Sequence, residues 1–241
     1  MLVFVLDLDG TVVGNISHQI LLYEICKVTK KKFNLIEFRQ KLLKTLLRPH
    51  VINFLKRENS EFFIYSAGSK VWVEFIVKQI EIVAKMRFNR PLFTRDDCLT
   101  DFKKCITTIQ PKIDKVLKRK YNRTFTPLII DNNDVYLNNQ TLLLCPTYDG
   151  YVAENLPCLI DINLYKKYYL EINRLLKTYI NIDINTTKIS YKHFQYVYYI
   201  KYIQWLKTKK SADTFFLKLE RVLRSVSEFN KDNISRIRSN I

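Results

Sequence analysis

Leu2–Leu6 is an unbroken apolar run that stops abruptly at Asp7-Leu8-Asp9-Gly10-Thr11. A short run without polar alternation predicts a strand buried on both faces of a parallel sheet, with functional residues at its carboxyl end. Phe62–Tyr65 repeats the pattern and ends in Ser66-Ala67-Gly68-Ser69, while Pro127–Ile130 ends in Asp131-Asn132-Asn133-Asp134. Leu92-Phe93 and Thr141–Cys145 are shorter candidates for strands. Between the runs the apolar period changes to that of helices. Ile16–Leu47 reads as two helices, with Lys30–Lys32 between them, and His50–Arg57 as a short one after the break at Arg48-Pro49. Lys70–Ala84 reads as a helix with Val73, Ile76, Val77 and Ile80 on one face, and Lys112 opens another over Lys112–Lys120. Strands alternating with helices predict an α/β fold, a doubly wound parallel sheet that binds ligands at the carboxyl ends of its strands.

From about residue 159 the pattern is helical throughout, over Leu164–Ile180, Tyr191–Lys207 and Phe215–Phe229, and Lys and Arg outnumber Asp and Glu by more than two to one. No Pro or Gly follows Pro157, so no flexible linker is expected. The predicted organisation is a catalytic domain over residues 1–158, with a small helical insert or cap over 16–47. A basic, Tyr-rich helical appendage over 159–241 packs on it. In Tyr191–Lys207, Phe194, Val197, Tyr198, Lys201, Tyr202 and Trp205 fall near helical spacing. A core helix is the expected reading, with aromatic stacking on nucleic acid as the alternative. Lys207–Lys210 reads as a solvated end, with a basic docking patch as its alternative.

Composition changes this picture modestly. A hydrophobic content of 47% over 241 residues supports a substantial core. The formal charge of +17 attracts polyanions such as nucleic acid, phosphoproteins or anionic membrane. The abundance of Asn, Ile, Lys and Tyr also resembles translation of an AT-rich genome, which raises Lys independently of function. The five cysteines Cys26, Cys98, Cys105, Cys145 and Cys158 have no CxxC spacing. Neither a disulfide framework nor a zinc site is expected, and a reducing intracellular compartment, cytoplasm or nucleus, fits. The apolar start is too short for a signal peptide, and no run approaches the roughly 18 residues of a membrane span.

The polar clusters carry the chemistry. Asp7 and Asp9, two residues apart at a strand end, reach one pocket. Asp7 can hold Mg²⁺ and attack phosphorus in line, while Asp9 protonates the leaving oxygen and then activates water. Gly10 allows the sharp exit from the strand. Ser66, the backbone N–H of Ala67, and Thr11 are candidate phosphate donors. Asp131 and Asn132 extend an oxygen-rich Mg²⁺ set that includes Asp7 and Asp9. A lysine must also offset negative charge: Lys112 is the choice because it opens a helix before the strand leading to Asp131, with Lys104 and Lys115 as alternatives. Taken singly, these clusters have plainer readings as polar turns and helix caps.

A DxDGT motif, a strand-end Ser, a lysine and an acidic cluster, in that order, resemble the phosphatases of the haloacid-dehalogenase superfamily. Leu47-Arg48-Pro49 with Phe54-Leu55 is similar to the LRPxxxxFL of one branch, the FCP/SCP-like phosphatases of the RNA polymerase II carboxy-terminal domain. Tyr65–Lys70, Phe93–Cys98 and Ile129–Tyr136 resemble that branch's YTxGSR, SRDEC and IIDDxxDVW segments. The resemblance covers residues 1–158 in patches. It implies a three-layer Rossmann-like core with Mg²⁺ and hydrolysis of phosphoserine or phosphothreonine on an extended peptide, such as the polymerase tail. It makes Asp7 the nucleophile and Asp9 the acid/base, whose backbone carbonyl also serves the metal. Ser66 and Lys112 hold phosphate, and Asp131 and Asn132 serve the metal. Three departures bear on substrate: Gly10-Thr11 replaces the branch's usual Glu-Thr, Ile16–Leu47 reads helical rather than stranded, and the Cys98–Lys112 spacing differs. A nucleic-acid 3′-phosphatase or nucleotide phosphatase of the same chemistry is the alternative. A non-catalytic binding module is the third reading, which the intact Asp7/Asp9 pair opposes.

Overall fold

The computed structural model describes residues 1–99, 103–137, 140–150, 152, 156, 160–182, 191–206 and 213–241. Cys158 and Lys207–Lys210 lie outside these residues, as do the side chains of Lys201 and Trp205. The chain divides into two units. One comprises Met1–Gly14, Leu47–Gly150 and Ala212–Ile241, and the other Asn15–Leu46 and Tyr151–Ser211. This differs from the expected division into 1–158 and 159–241. The helical insert groups with the first part of the appendage, and the last thirty residues return to the sheet unit.

The sheet unit is built on four parallel strands in the order β2-β1-β4-β6: β1 (Leu2–Leu6), β2 (Ser60–Ile64), β4 (Pro127–Asp131) and β6 (Leu142–Leu144). Leu6 is level with Ile64 on one side and Ile130 on the other. A second parallel pair joins β3 (Lys104–Cys105) to β5 (Tyr136–Leu137). Leu92-Phe93 forms only a bridge, Tyr65 with Phe93. Helix α3 (Val51–Leu55) precedes β2, α4 (Lys70–Ala84) follows it, and α5 (Ile106–Tyr121) precedes β4.

Alternation along the strands sorts side chains into the two faces of the sheet. Val3, Val5, Phe63 and Ile129 pack with Ile109, Ile113 and Leu117 of α5. Phe4 points the other way, with ring centroids 4.9 Å from Phe54, 5.2 Å from Phe62 and 5.3 Å from Phe229. Phe54 in turn lies 4.8 Å from Phe216. The second face is therefore covered by α3 together with the carboxy-terminal segment, giving three layers. That segment contains α9 (Phe215–Val222), shorter than the expected Phe215–Phe229, and α10 (Lys231–Ser239), which the sequence pattern left unassigned. Its exposed faces are polar, but Phe215, Phe216, Leu219 and Phe229 are buried.

One ion pair fastens the segment. Arg48 is wholly buried, and its Nε and Nη2 donate to the two carboxylate oxygens of Asp213 at 3.0 and 2.7 Å. The guanidinium also lies 4.8 Å from the Phe215 ring, and its Nη1 is 3.1 Å from Cys145 Sγ. Burying a guanidinium is tolerable only with a partner of this geometry.

The second unit contains α1 (Ser17–Val28), α2 (Leu35–Lys41) and a π-helical turn over Leu42–Leu46. It also contains α6 (Ile162–Lys167), α7 (Tyr169–Ile180) and α8 (Tyr191–Leu206). Leu21 and Ile25 of α1 pack with Leu175, Leu176, Phe194 and Tyr198, so α8 is a core helix along Phe194 and Tyr198, as expected. Asp161 caps α6 by accepting from the N–H groups of Asn163 and Leu164. The buried His18 Nδ1 lies 3.1 Å from the Tyr198 hydroxyl, and burial lowers its pKa from 6.5 to about 4. Among the described residues, Cys26, Cys98, Cys105 and Cys145 are free thiols, and no helix is long and apolar enough to cross a membrane.

Two stability predictions arise. Asp213→Asn leaves Arg48 charged and unpaired, so urea unfolding should show a loss of about 3–5 kcal/mol, whereas Arg48→Met combined with Asp213→Leu should recover much of it. His18 stays neutral in the fold while the unfolded chain takes up its proton. Its contribution is thus complete above pH 6.5 and falls as pH drops towards 4, by about 3 kcal/mol in all. Unfolding measured from pH 7 to pH 4 should show a shallower pH slope for His18→Gln than for the unsubstituted protein.

Candidate active site

Asp7, Ser66 and Asp131 are brought together because they leave three adjacent parallel strands at the same level. The Asp7 N–H donates to Ile130 O at 3.0 Å, and the Tyr65 N–H to Leu6 O at 2.9 Å. Lys104 completes the arrangement: its Nζ donates to Asp7 Oδ1 at 2.5 Å and to Asp131 Oδ2 at 2.7 Å. All three side chains are buried. Tyr65 and Tyr136 present their rings to the ammonium at 5.7 and 5.6 Å. Burial alone would lower the Lys104 pKa, but the charges of Asp7 and Asp131 outweigh it and raise the pKa. Asp131 is pushed upwards by burial and by the charge of Asp7, against the pull of Lys104.

Lys112, the lysine expected here, stands elsewhere. Helix α5 begins at Ile106, so Lys112 lies within it rather than at its start, and its Nζ pairs with Asp97 at 2.6 Å on an exposed surface. Pro111 sits inside the helix without breaking it. The cation that lies between Asp7 and Asp131 is one of the two alternatives, Lys104. It sits on a two-residue strand that has no periodicity to read, and its position depends on pairing with Tyr136–Leu137, over thirty residues away.

The turn after β1 is shaped by Gly10. Its φ is +80°, a left-handed conformation, and a Cβ there would lie 2.6 Å from Asn132 Nδ2. Glycine therefore lets Asn132 close over the turn. Asn132 Oδ1 accepts from the Thr11 hydroxyl at 3.2 Å, and its Nδ2 donates to Thr147 Oγ1 at 3.2 Å. Thr11 is fully buried and its N–H donates to Leu8 O. Its donors are thus spent within the fold, and it positions Asn132 instead of facing a phosphate as expected. Thr147 had no motif to mark it. Asp9 is solvent-exposed; the crowding of protein around it and the charge of Asp7 still push its pKa up, with Lys104 opposing.

Ser66 is buried at the head of the loop that enters α4, and its Oγ accepts from the Gly68 N–H at 3.0 Å. The loop is tied to the following segment by the Arg95 N–H to Gly68 O and Arg95 Nε to Ala67 O, both 3.0 Å.

Among the described residues, no cluster of three or more His, Cys, Asp or Glu side chains is close enough to hold a metal by itself. The candidate ligands are instead the carboxylates of Asp7 and Asp131 with the Asn132 amide oxygen, an all-oxygen set of the kind that suits Mg²⁺. Asp7, Asp9 and Asp131 also outnumber the single ammonium of Lys104, and that surplus of negative charge fits a divalent cation.

Comparison with known proteins places this architecture. The family model described as NLI interacting factor-like phosphatase matches residues 2–169. The protein is accordingly a phosphatase of the haloacid-dehalogenase superfamily, a phosphoric monoester hydrolase. Within that class, it belongs to the NLI interacting factor-like phosphatase family. Two solved structures are similar: fission yeast RNA polymerase II CTD phosphatase Fcp1 bound to beryllium fluoride, and Fcp1 described as an essential RNA polymerase II CTD phosphatase. The first has 17% identity and a TM-score of 0.41, the second 16% and 0.43; each match covers 95% of this chain and 68% of the other. No curated protein sequence matches.

The two lysines separate in a simple assay. With an aryl phosphate, Lys104→Met should lower kcat by about 10²-fold or more, as for loss of a preorganised charge at a reacting group. Lys112→Met should stay within about twofold of the unsubstituted protein, since its ammonium meets Asp97 and the Phe93 ring at the surface and none of Asp7, Asp9 or Asp131.

Proposed function

We propose that the protein is a Mg²⁺-dependent phosphoserine or phosphothreonine phosphatase that works through an aspartyl-phosphate on Asp7. The observation that carries the reading is the Lys104 ammonium held between Asp7 and Asp131 at the carboxyl ends of β1 and β4. Such a group lies against the Asp7 carboxylate and offsets charge on an approaching phosphoryl group. Asp7, Asp131 and Asn132, with the Asp9 backbone carbonyl, would hold the metal, which when bound supplies further charge neutralisation at the phosphoryl oxygens.

Asp7 attacks phosphorus as the P–O bond to the leaving hydroxyl breaks, and Asp9 donates a proton to that oxygen. Its raised pKa suits a proton donor. Asp9 then takes a proton from water, which attacks the aspartyl-phosphate and releases inorganic phosphate and free Asp7. Ser66, with the Ala67 N–H, orients the phosphoryl oxygens at the entrance to α4. The expectation of a protein substrate, the polymerase tail among them, rests on family membership together with the LRP and YSAGSK segments.

A nucleic-acid phosphate is the second reading. It is favoured by the uneven charge: the unit formed by Asn15–Leu46 and Tyr151–Ser211 has 17 Lys and Arg against 6 Asp and Glu.

The test offers, with Mg²⁺, phosphopeptides of the polymerase tail, 3′-phosphorylated oligonucleotides and an aryl phosphate. Phosphopeptide turnover should dominate, Asp7→Asn should abolish it, and Asp9→Asn should lower kcat by about 10²–10⁴-fold. Turnover that survives Asp7→Asn would remove the covalent mechanism, and a preference for the oligonucleotide would put the second reading first.

A further inference from the structure

Helix α4 starts at the end of the Ser66–Ser69 loop and presents Lys70, Glu74, Lys78 and Ile82 on one stripe, each four residues from the last. Together with the returning segment from Met86 to Leu92, this stripe lines a groove of about 760 Å³. From Lys70 to Ile82 the helix advances about 18 Å, the reach of roughly five or six extended residues. The floor is apolar, with Ile82, Met86, Pro91 and Leu92. Ile82 is exposed. Glu81 is occupied within the wall: it accepts from Arg90 and from the Phe88 N–H, both at 2.9 Å. That leaves Lys70, Lys78 and Arg87 against Glu74, and none of these three cations is in an ion pair among the described residues. All three are exposed.

We infer that this groove binds the acidic flank of an extended peptide substrate, a stretch bearing carboxylates or a second phosphate within a few residues of the phosphoryl group being removed. The inference rests on the phosphopeptide reading of the same site. Its chemistry is specific to the groove: an apolar floor accepts an extended chain, and a surplus of unpaired cations along one wall selects anions on it. The amino end of α4 lies at the catalytic end of the sheet, so a chain whose phosphate is held at Ser66 enters the groove beside Lys70. Lys78 then meets the chain about 12 Å further on, the span of three or four extended residues.

The experiment compares phosphopeptides that carry acidic residues on the amino-terminal side, on the carboxy-terminal side, or on neither. Binding is read by fluorescence anisotropy on labelled peptides and turnover by phosphate release, each at low and high salt. The expected result is a roughly tenfold tighter binding and lower KM for one of the acidic arms, diminishing at high salt. In Lys78→Glu with Arg87→Glu that preference should vanish, with aryl phosphate turnover unchanged within about twofold. Lys78→Gln with Arg87→Gln should fall between. Undiminished preference in the double variant overturns the groove, as does an equal loss on the aryl phosphate in both the glutamate and the glutamine double variants, which would place these side chains at the reacting phosphate instead of along the peptide. A labelled single-stranded oligonucleotide, measured by the same anisotropy, that binds more tightly than any acidic peptide and is lost in Lys78→Glu with Arg87→Glu overturns the proposed occupant. Absence of turnover on every substrate would fail the phosphatase mechanism, while the anisotropy comparison would still decide the groove.

Discussion

The Lys104 ammonium between Asp7 and Asp131 is the contact on which the rest of the site depends. Two carboxylates facing each other in a buried pocket repel each other, and burial adds to the cost of holding both charges there. One ammonium within hydrogen-bonding distance of both offsets that repulsion, although burial and the charge of Asp7 still hold the Asp131 pKa up. The sheet supplies the carboxylates by parallel register, Leu6 beside Ile130, and the β3–β5 pair supplies the lysine. The aromatic rings of Tyr65 and Tyr136 exclude water from the ammonium without competing for its donors. A carboxylate–ammonium cluster of this kind is a consequence of strand order more than of any one motif.

A second chain of contacts runs behind the site. Asn132 is held by Thr11 and Thr147 and is allowed close to the turn by Gly10. Arg48 stands beneath, with Nη1 at 3.5 Å from Thr11 O and its other nitrogens on Asp213. The LRP segment thus connects the turn after β1 to a residue beyond the 2–169 span that the family model matches. The phosphatase unit of this protein is completed by its own carboxy-terminal residues.

What could be read from the sequence follows from the range of the forces involved. Leu2–Leu6 and Lys70–Ala84 were legible to the residue, because an uninterrupted apolar run and a 3.6-residue stripe are local signals with sharp polar ends. Asp7, Asp9, Ser66 and Asp131 could be placed at strand ends for the same reason. Lys104 could not be singled out, since a two-residue strand has no period and the pairing that holds it is distant. Pro111 hid the first turn of α5 and so made Lys112 look like a helix start. The segment over Phe215–Phe229 was legible as helical, but not as the cover of the sheet, because amphipathicity shows that a face is buried and not against what. The insert over Ile16–Leu47 likewise gave no sign that Leu21 and Ile25 would share a core with Leu175 and Phe194.

Phe216, Phe229 and Asp213 have a consequence for the order in which the molecule assembles. The second face of the sheet is covered by α3 alone until residues some seventy positions beyond β6 have left the ribosome. Until then Phe4, Phe54 and Phe62 form an exposed aromatic surface, and Arg48 awaits its counter-ion. Contacts this far apart in sequence close slowly and leave nascent chains open to aggregation in the interval. A ribosome that stalls or terminates before residue 213 therefore releases a chain that lacks the partner of Arg48 and part of the cover of its sheet.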